Sequence, residues 1–319
     1  RGENMEYKVE ELYFKSSNGT SDIYAKILSP FDNRKIKGII QFSHGMCEYF
    51  DKYMEFHKFM LENGYVVCGH DHIGHGLSTK NESEKGFFAE KDGYKYLIED
   101  LKKMTDIIRE RFPYEPLFLL GHSMGSLIAR SYAAKYGKNI KGLLLCGTIG
   151  PQPLIDSAIS FADLIIKRKG ERYRSRKLYQ ISLDLVNASF KQSKNKFEWT
   201  TSDKAQALIT EKDEKQNFIF TASAYKDLFK LVKIANSPRI IKTVPKDLPI
   251  YFFSGVQDPL CEKGIGVKRA VKLYKEEKIK NVSLKLYKDC RHEMLRERNR
   301  NEVYKDILDF IDLIRFGDE

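Results

Sequence analysis

The chain runs to 319 residues with 42% hydrophobic content, enough for one large core and a smaller insertion, and no stretch approaches the length of a membrane span. A formal net charge of +11 raises nucleic acid as a partner, but 44 acidic residues are dispersed among the basic ones and no nucleic-acid-binding motif occurs, so that class is set aside. Five cysteines, an odd number in no paired spacing, read as reduced thiols in a cytoplasmic setting rather than as a disulfide framework.

The opening Arg1-Gly2-Glu3-Asn4 has no apolar signal-peptide core, and Met5 reads as the native start. Residues 9–29 predict a hairpin folded around Ser17-Asn18-Gly19-Thr20. Beyond it, apolar strands at 38–42, 65–69, 116–120, 142–146, 250–253 and 282–287 alternate with helical stretches such as 94–112 and 301–315. That alternation predicts an α/β fold, a mostly parallel sheet covered by helices on both faces. From 150 to 246 it gives way to helical, charge-rich sequence without a convincing strand. The expectation is a helical cap at 151–246 inserted into a catalytic domain made of 5–150 and 247–319.

The strand at 116–120 runs straight into Gly121-His122-Ser123-Met124-Gly125 and then into a helix-compatible segment. Strand, turn and helix in that order are what a nucleophile elbow requires: the glycines let the chain reverse while the Ser123 Oγ projects above the sheet. A serine nucleophile needs a base and a carboxylate to orient it, and both follow in the order Ser, Asp, His. Asp258 comes after the strand at 250–253, and His292 after the alternating strand at 282–287. Singly, Asp258 reads equally well as a turn residue before Pro259, and His292 as one of seven ordinary histidines. Together they fall outside the carboxyl ends of strands, where sites of open α/β sheets form. Acyl transfer also needs oxyanion donors. The amide of Met124, at the start of the helix, is one candidate, and that of Met46, in Ser43-His44-Gly45-Met46-Cys47-Glu48 after the strand at 38–42, is the second. His44 reads as a brace for this loop, since His292 already fills the base position.

Taken together, His44-Gly45-Met46-Cys47-Glu48, His70-Asp71-His72-Ile73-Gly74-His75-Gly76-Leu77-Ser78, Gly121-His122-Ser123-Met124-Gly125, Asp258-Pro259-Leu260-Cys261 and Arg291-His292-Glu293 resemble the monoacylglycerol lipase and lysophospholipase branch of the α/β-hydrolase superfamily, with a cap of bacterial type. The resemblance spans about residues 7–314. It implies the α/β-hydrolase fold, Ser123, Asp258 and His292 as the triad, Met46 and Met124 as oxyanion donors, and no cofactor. It also makes the histidine-rich loop a structural support, in keeping with the absence of zinc-ligand spacing there. The chain departs from the family pattern at Cys47 and Ser126, where glycine is usual, and at Thr210 and Glu214, where tyrosine and proline are usual.

The first cap helix carries Leu154, Ile155, Ala158, Ile159, Ala162, Ile165 and Ile166 at helical spacing. Its apolar face reads either as packing on the catalytic domain or, through Ile159, as the wall of an acyl-chain pocket. The basic run from Lys167 to Lys177 reads as a solvated face or as a transient contact with an anionic membrane surface. Glu48 is a candidate for a polar head group, or a brace for the oxyanion loop. Cys261 and Cys47 read as thiols beside the site, or as inert buried ones. The expected activity is hydrolysis of lipid-like esters, monoacylglycerols or lysophospholipids. A proline-iminopeptidase-like serine aminopeptidase shares fold and triad, and a non-catalytic hydrolase-fold binding protein is the reading from another class. A haloalkane dehalogenase is disfavoured because its nucleophile is a carboxylate.

Overall fold

The computed structural model describes residues 7–32, 36–183, 186 and 195–317, so the start expected at Met5 lies outside the described residues. An eight-stranded sheet in the order β1-β2-β4-β3-β5-β6-β7-β8 forms its centre. Strands β1 (Tyr7–Lys15) and β2 (Asp22–Pro30) make the expected hairpin and run antiparallel, and β2 also pairs antiparallel with β4 (Tyr65–His70). From β4 onward the ladder is parallel, through β3 (Gly38–Ser43), β5 (Leu117–His122), β6 (Gly142–Cys146), β7 (Ile250–Gly255) and β8 (Val282–Tyr287).

The inner strands read as unbroken apolar runs because both of their faces are covered. Alternate residues feed two separate cores. Ile39, Leu117, Leu119, Leu143 and Leu145 join one, with helices α2 (Gly93–Arg111), α3 (Met124–Tyr136) and α9 (Ile265–Glu276). Ile40, Phe42, Phe118, Leu120 and Leu144 join the other, with α1 (Met54–Glu62) and α10 (Arg300–Phe316). This is the α/β-hydrolase arrangement, with helices on both sides of a mostly parallel sheet.

Between β6 and β7 the described residues form helices and loops without a strand: α4 (Ile155–Lys169), α5 (Arg176–Ser182), α6 (Lys204–Lys212), α7 (Ala222–Ala235) and α8 (Pro238–Ile241). α7 is the anchor of this insert, burying Ala224, Tyr225, Leu228, Leu231, Val232 and Ala235 in the first core. In α4 only Ala162 is fully buried, while Ile155, Ala158, Ile159, Ile165 and Ile166 pack half-buried against the same core. Leu154 and Leu164 remain exposed. Of the two readings of this helix face, the half-buried position of Ile159 against the first core matches the packing one. Its side of α4 faces helix and core, in keeping with the extensive contact between α4 and α7, because a helix with apolar residues on one stripe buries that stripe on the nearest apolar neighbour.

Candidate active site

Ser123 sits between β5 and α3 with φ 52° and ψ −120°, a left-handed backbone that a non-glycine residue holds only when its surroundings fix it. Its amide donates to Cys146 O at 2.9 Å, tying the turn to β6. The flanking glycines answer to close approach: a Cβ on Gly121 would lie 2.5 Å from Gly125 O, and one on Gly125 would lie 2.0 Å from Ser43 O. A side chain at Gly121 would spread the elbow itself, and one at Gly125 would push it away from the end of β3. Ser126 keeps the helix start in place by donating from its Oγ to Ser123 O at 2.5 Å.

His292 and Asp258 meet as the chain order anticipates. The Nδ1 of His292 stands 2.8 Å from Asp258 Oδ2, and both side chains are buried. Asp258 Oδ1 accepts from the amide of Leu260 at 2.9 Å and from that of Cys261 at 3.4 Å, so the carboxylate is fixed at both oxygens. Burial opposes charge on both partners, and their mutual attraction outweighs it: Asp258 is held below the ordinary carboxylate value, and His292 above the ordinary histidine value with help from Glu48 and Glu293. With Nδ1 donating to a carboxylate, the neutral imidazole presents a basic Nε2 to whatever lies across from it. Ser123, His292, Met46 and Met124 line one cavity of about 590 Å³.

The loop after β3 is held from both sides of Met46. Gly45 N donates to Glu48 Oε2 at 2.6 Å, and Cys47 N donates to His75 Nε2 at 3.1 Å. Cys47, where the family commonly has glycine, takes φ 57°. His44 accepts from the His72 amide at its Nε2 (2.9 Å) and pairs with Gly45 O through Nδ1 (2.8 Å), which makes it a brace. Burial drives His44, His72 and His75 below the ordinary histidine value, to about 4 for His75, so near neutral pH they are uncharged acceptors and donors under the loop. His70 Nε2 and His72 Nδ1 lie 3.2 Å apart, and His72 Nε2 lies 3.1 Å from Ser43 Oγ. Apart from His70 Nδ1, which is buried without a partner, the four rings spend their nitrogens on one another and on the chain that carries the loop.

Glu48 is buried, and both its oxygens are spoken for, by Gly45 N, by His122 Nδ1 at 3.0 Å, by Tyr53 Oη at 2.8 Å and by Lys52 Nζ at 2.9 Å. Of its two expected roles, the bracing one matches these contacts. Lys52, Glu293 and Arg296 were not singled out by sequence reading. Lys52 Nζ also reaches Glu293 Oε1 at 2.6 Å, and Arg296 Nη1 donates to Glu293 Oε2 at 2.8 Å. A faint signal existed, because Glu48 and Lys52 are spaced i,i+4 and Glu293 adjoins His292.

The insert side of the cavity is built from the end of α5 and from irregular segments around 197–200 and 216–219. Tyr179, Leu183, Phe197, Trp199, Phe218 and Ile219 line the cavity, and Trp199 places its ring 5.2 Å from that of His292. No residue of α4 is among the lining residues, Ile159 included. The two thiols also part company. Cys47 lines the cavity and reaches Phe218 O through Sγ at 3.4 Å, whereas Cys261 is fully buried beneath the acid loop with Sγ 3.2 Å from Thr148 O. An adduct at Cys261 is accordingly not expected to enter the cavity. In the basic run, Arg174 bonds Lys85 O at 2.6 Å and Arg172 stacks 3.7 Å from the Phe87 ring, while Lys167, Arg168, Lys169, Arg176 and Lys177 are exposed.

Comparison with known proteins places this geometry in a family. Residues 34–299 match the family described as serine aminopeptidase, S33. Human monoglyceride lipase is 26% identical over 276 residues, 85% of this chain and 81% of the relative. A thermostable carboxyl esterase from Bacillus coagulans, solved with glycerol, superposes with a TM-score of 0.89 at 30% identity, covering 96% of this chain and 99% of that one. A lipase solved in an open form superposes equally well, with a TM-score of 0.89 at 25% identity over 97% of this chain and 99% of that one. The chain belongs to the serine aminopeptidase S33 family, in the monoacylglycerol lipase and lysophospholipase branch of the α/β-hydrolase superfamily.

Proposed function

We propose that the protein is a serine carboxylic ester hydrolase acting on lipid-like esters, monoacylglycerols or lysophospholipids, and that residues 151–246 serve as its cap. The observation that carries this reading is the buried Asp258–His292 pair opening, with Ser123, into a cavity to which the insert brings an apolar and aromatic group, Leu183, Phe197, Trp199, Phe218, Ile219 and Leu228, beside polar residues such as Gln216 and Asn217. Ser123 Oγ attacks the ester carbonyl carbon while His292 Nε2 takes its proton, and Asp258 holds the imidazole and stabilises the imidazolium. The amides of Met46 and Met124 receive the oxyanion, each donor contributing a few kcal/mol to the transition state. His292 then returns the proton to the leaving alkoxide, and water repeats the cycle on the acyl-enzyme. Lipase and esterase relatives support the ester class.

The aminopeptidase alternative needs a carboxylate to receive the substrate ammonium. Glu48, Glu82 and Glu293 are the acids lining the cavity, and each already faces a cation: Lys52 for Glu48 and Glu293, Lys85 for Glu82 at 2.5 Å. That pairing favours a neutral, apolar substrate. Transient membrane contact through the insert is supported by exposed Leu154, Leu164, Leu208 and Ile209 near exposed lysines and arginines. Among the described residues no helix is long and apolar enough to cross a membrane.

The test is a hydrolysis panel of p-nitrophenyl esters of two to sixteen carbons, monoacylglycerols, lysophosphatidylcholine and prolyl amides. Long-chain esters should be turned over fastest, Ser123→Ala should lose roughly a thousandfold or more, and a fluorophosphonate probe should label the parent and miss the mutant. Amide turnover exceeding ester turnover would overturn the ester reading.

A further inference from the structure

A chain of buried ionic contacts joins three parts of the site that are far apart in sequence. It starts at the amide of Gly45 beside Met46, which donates to Glu48 Oε2 at 2.6 Å. It passes through Lys52, 2.9 Å from Glu48 Oε1 and 2.6 Å from Glu293 Oε1, and then from Glu293 Oε2 to Arg296 at 2.8 Å. Arg296 ends on the insert, donating to Gln206 Oε1 at 2.6 Å and to Thr210 Oγ1 at 2.8 Å, both on α6. The side chains of Glu48, Lys52, Glu293 and Arg296 are between 3% and 8% exposed, so two anions and two cations are matched one for one out of water. Glu293 is the middle link. It follows His292 directly, its own amide donates to Thr200 O on the insert at 2.6 Å, and its two oxygens each meet a different cation.

We propose that Glu293 is a positioning residue that holds His292, the oxyanion loop and helix α6 in one register, so that the insert and the catalytic groups come into place together. This rests on the ester-hydrolase reading of Ser123 and His292. The physical argument is that a buried ion pair with one partner removed leaves an uncompensated charge, whereas a complete set has one favoured arrangement. With Glu293 neutral, Lys52 would be drawn toward Glu48 alone and Arg296 would lose its anchor on the His292 loop. Either shift moves the Gly45–Met46 backbone or the imidazole by a fraction of an ångström, which is the scale on which an oriented reaction loses rate.

A second consequence is electrostatic. The groups facing His292 are Asp258 from the loop after β7, Glu48 from the loop after β3, Glu293 from its own loop, the His122 ring at 4.9 Å and the Trp199 ring at 5.2 Å from the insert. Glu293 is one of the anions that hold His292 above its ordinary value, after Asp258 and Glu48 and against the effect of burial. Removing that charge should lower the pH at which the imidazole gains its proton.

Glu293→Gln, nearly identical in shape, should lower kcat on a soluble short-chain ester by roughly tenfold to a hundredfold with little change in KM, and shift the acid limb of its pH profile to lower pH. Arg296→Lys, which keeps the charge on Glu293 but loses the fork onto Gln206, should lower kcat and leave the acid limb in place. It also covers the case in which Glu293→Gln does not fold. Glu293→Asp, able to reach only one of the two cations, should fall between the parent and Glu293→Gln. A Glu293→Gln enzyme with parental kcat and an unmoved acid limb, or one that loses melting temperature alone, would overturn the proposal. Persisting ester turnover in Ser123→Ala would instead sink the reading of the nucleophile, which keeps the two failures distinct.

Discussion

The sheet side of the cavity and the insert side are built in different ways. On the sheet side, each reacting group stands at the end of a strand whose pairing fixes it: Ser43 opposite Gly121, His122 opposite Cys146, and Ser254 and Gly255 opposite Leu286 and Tyr287. Its tolerances are set by backbone atoms, as at Gly125, where a Cβ would have 2.0 Å of room. On the insert side, the walls come from loop residues around Phe197, Trp199 and Phe218 and from the end of α5, held to the catalytic part by contacts such as Ser202 N to Glu297 at 3.0 Å and Thr201 Oγ1 to Arg296 O at 3.0 Å. On the proposed function, chemistry rests on the strand-end backbone and selectivity on exchangeable side chains. A change on the first side should alter rate for every substrate, and a change on the second should alter which substrate is preferred.

The largest effect expected is at Asp258. Asp258→Asn preserves the shape but offers His292 Nδ1 the wrong partner, so kcat should fall by roughly a thousandfold or more on all esters alike. The pH profile sharpens the point. The proposed mechanism needs neutral His292, whose affinity for protons is raised in the folded protein, so activity should fall on acidification from above the ordinary histidine range, and in Asp258→Asn this limb should move to lower pH. A loss confined to long-chain esters would break the division of labour drawn above.

A smaller, selective effect is expected on the insert side. Leu183→Ala removes apolar wall from the cavity, and at about 0.8 kcal/mol per buried methylene it should lower kcat/KM for long-chain esters about tenfold while sparing acetate. Ile159→Ala, on the helix that packs away from the cavity, should leave the chain-length profile unchanged and lower the melting temperature. A reversal of these two outcomes, measured on one ester series, would return the acyl wall to α4.

The smallest effect concerns the joint between the two sides. Asp227 on α7 is buried against the start of α2, with the amides of Tyr94 and Gly93 as partners and one oxygen, Oδ2, unpartnered. Burial raises its pKa from 3.8 to about 7. The unfolded chain releases this proton near pH 4 while the folded one keeps it until about 7, so stability declines as pH rises through that window. Asp227→Asn should therefore raise the melting temperature by about 2 °C at pH 8, with the gain vanishing toward pH 4. An equal gain at both pH values would mean that ionisation is not its cause.

Much of the sheet side was legible in the sequence because its signals are local. Gly121-His122-Ser123-Met124-Gly125 carries its own geometry, and strand patterns place Asp258 and His292 after β7 and β8. The strands themselves run slightly past their apolar cores, β5 to His122 and β7 to Gly255, because backbone pairing continues where side chains have turned polar or small. The insert was less legible. Helix α4 showed a clear apolar stripe, but a stripe says that a face is buried and not what covers it. The Lys52–Glu293 pair spans 241 positions, and periodicity carries no information over that distance. On either side of α6, the wall residues at 197–200 and 216–219 have neither helical nor strand spacing, since irregular backbone lends its side chains to a pocket without repeating them.

Trp199 gives the molecule an optical property of its own. It is the chain's single tryptophan, and its ring lies 5.2 Å from the ring of His292, tilted by 36°. Indole emission is quenched by a nearby imidazolium, so emission excited selectively at the indole should fall as His292 gains its proton, free of background from other indoles. An acid titration followed by emission would record the protonation of His292 without substrate, and an acylated or inhibited enzyme would report the same event under a covalent load. A reaction coordinate that usually has to be inferred from rates is, in this chain, accompanied by its own lamp.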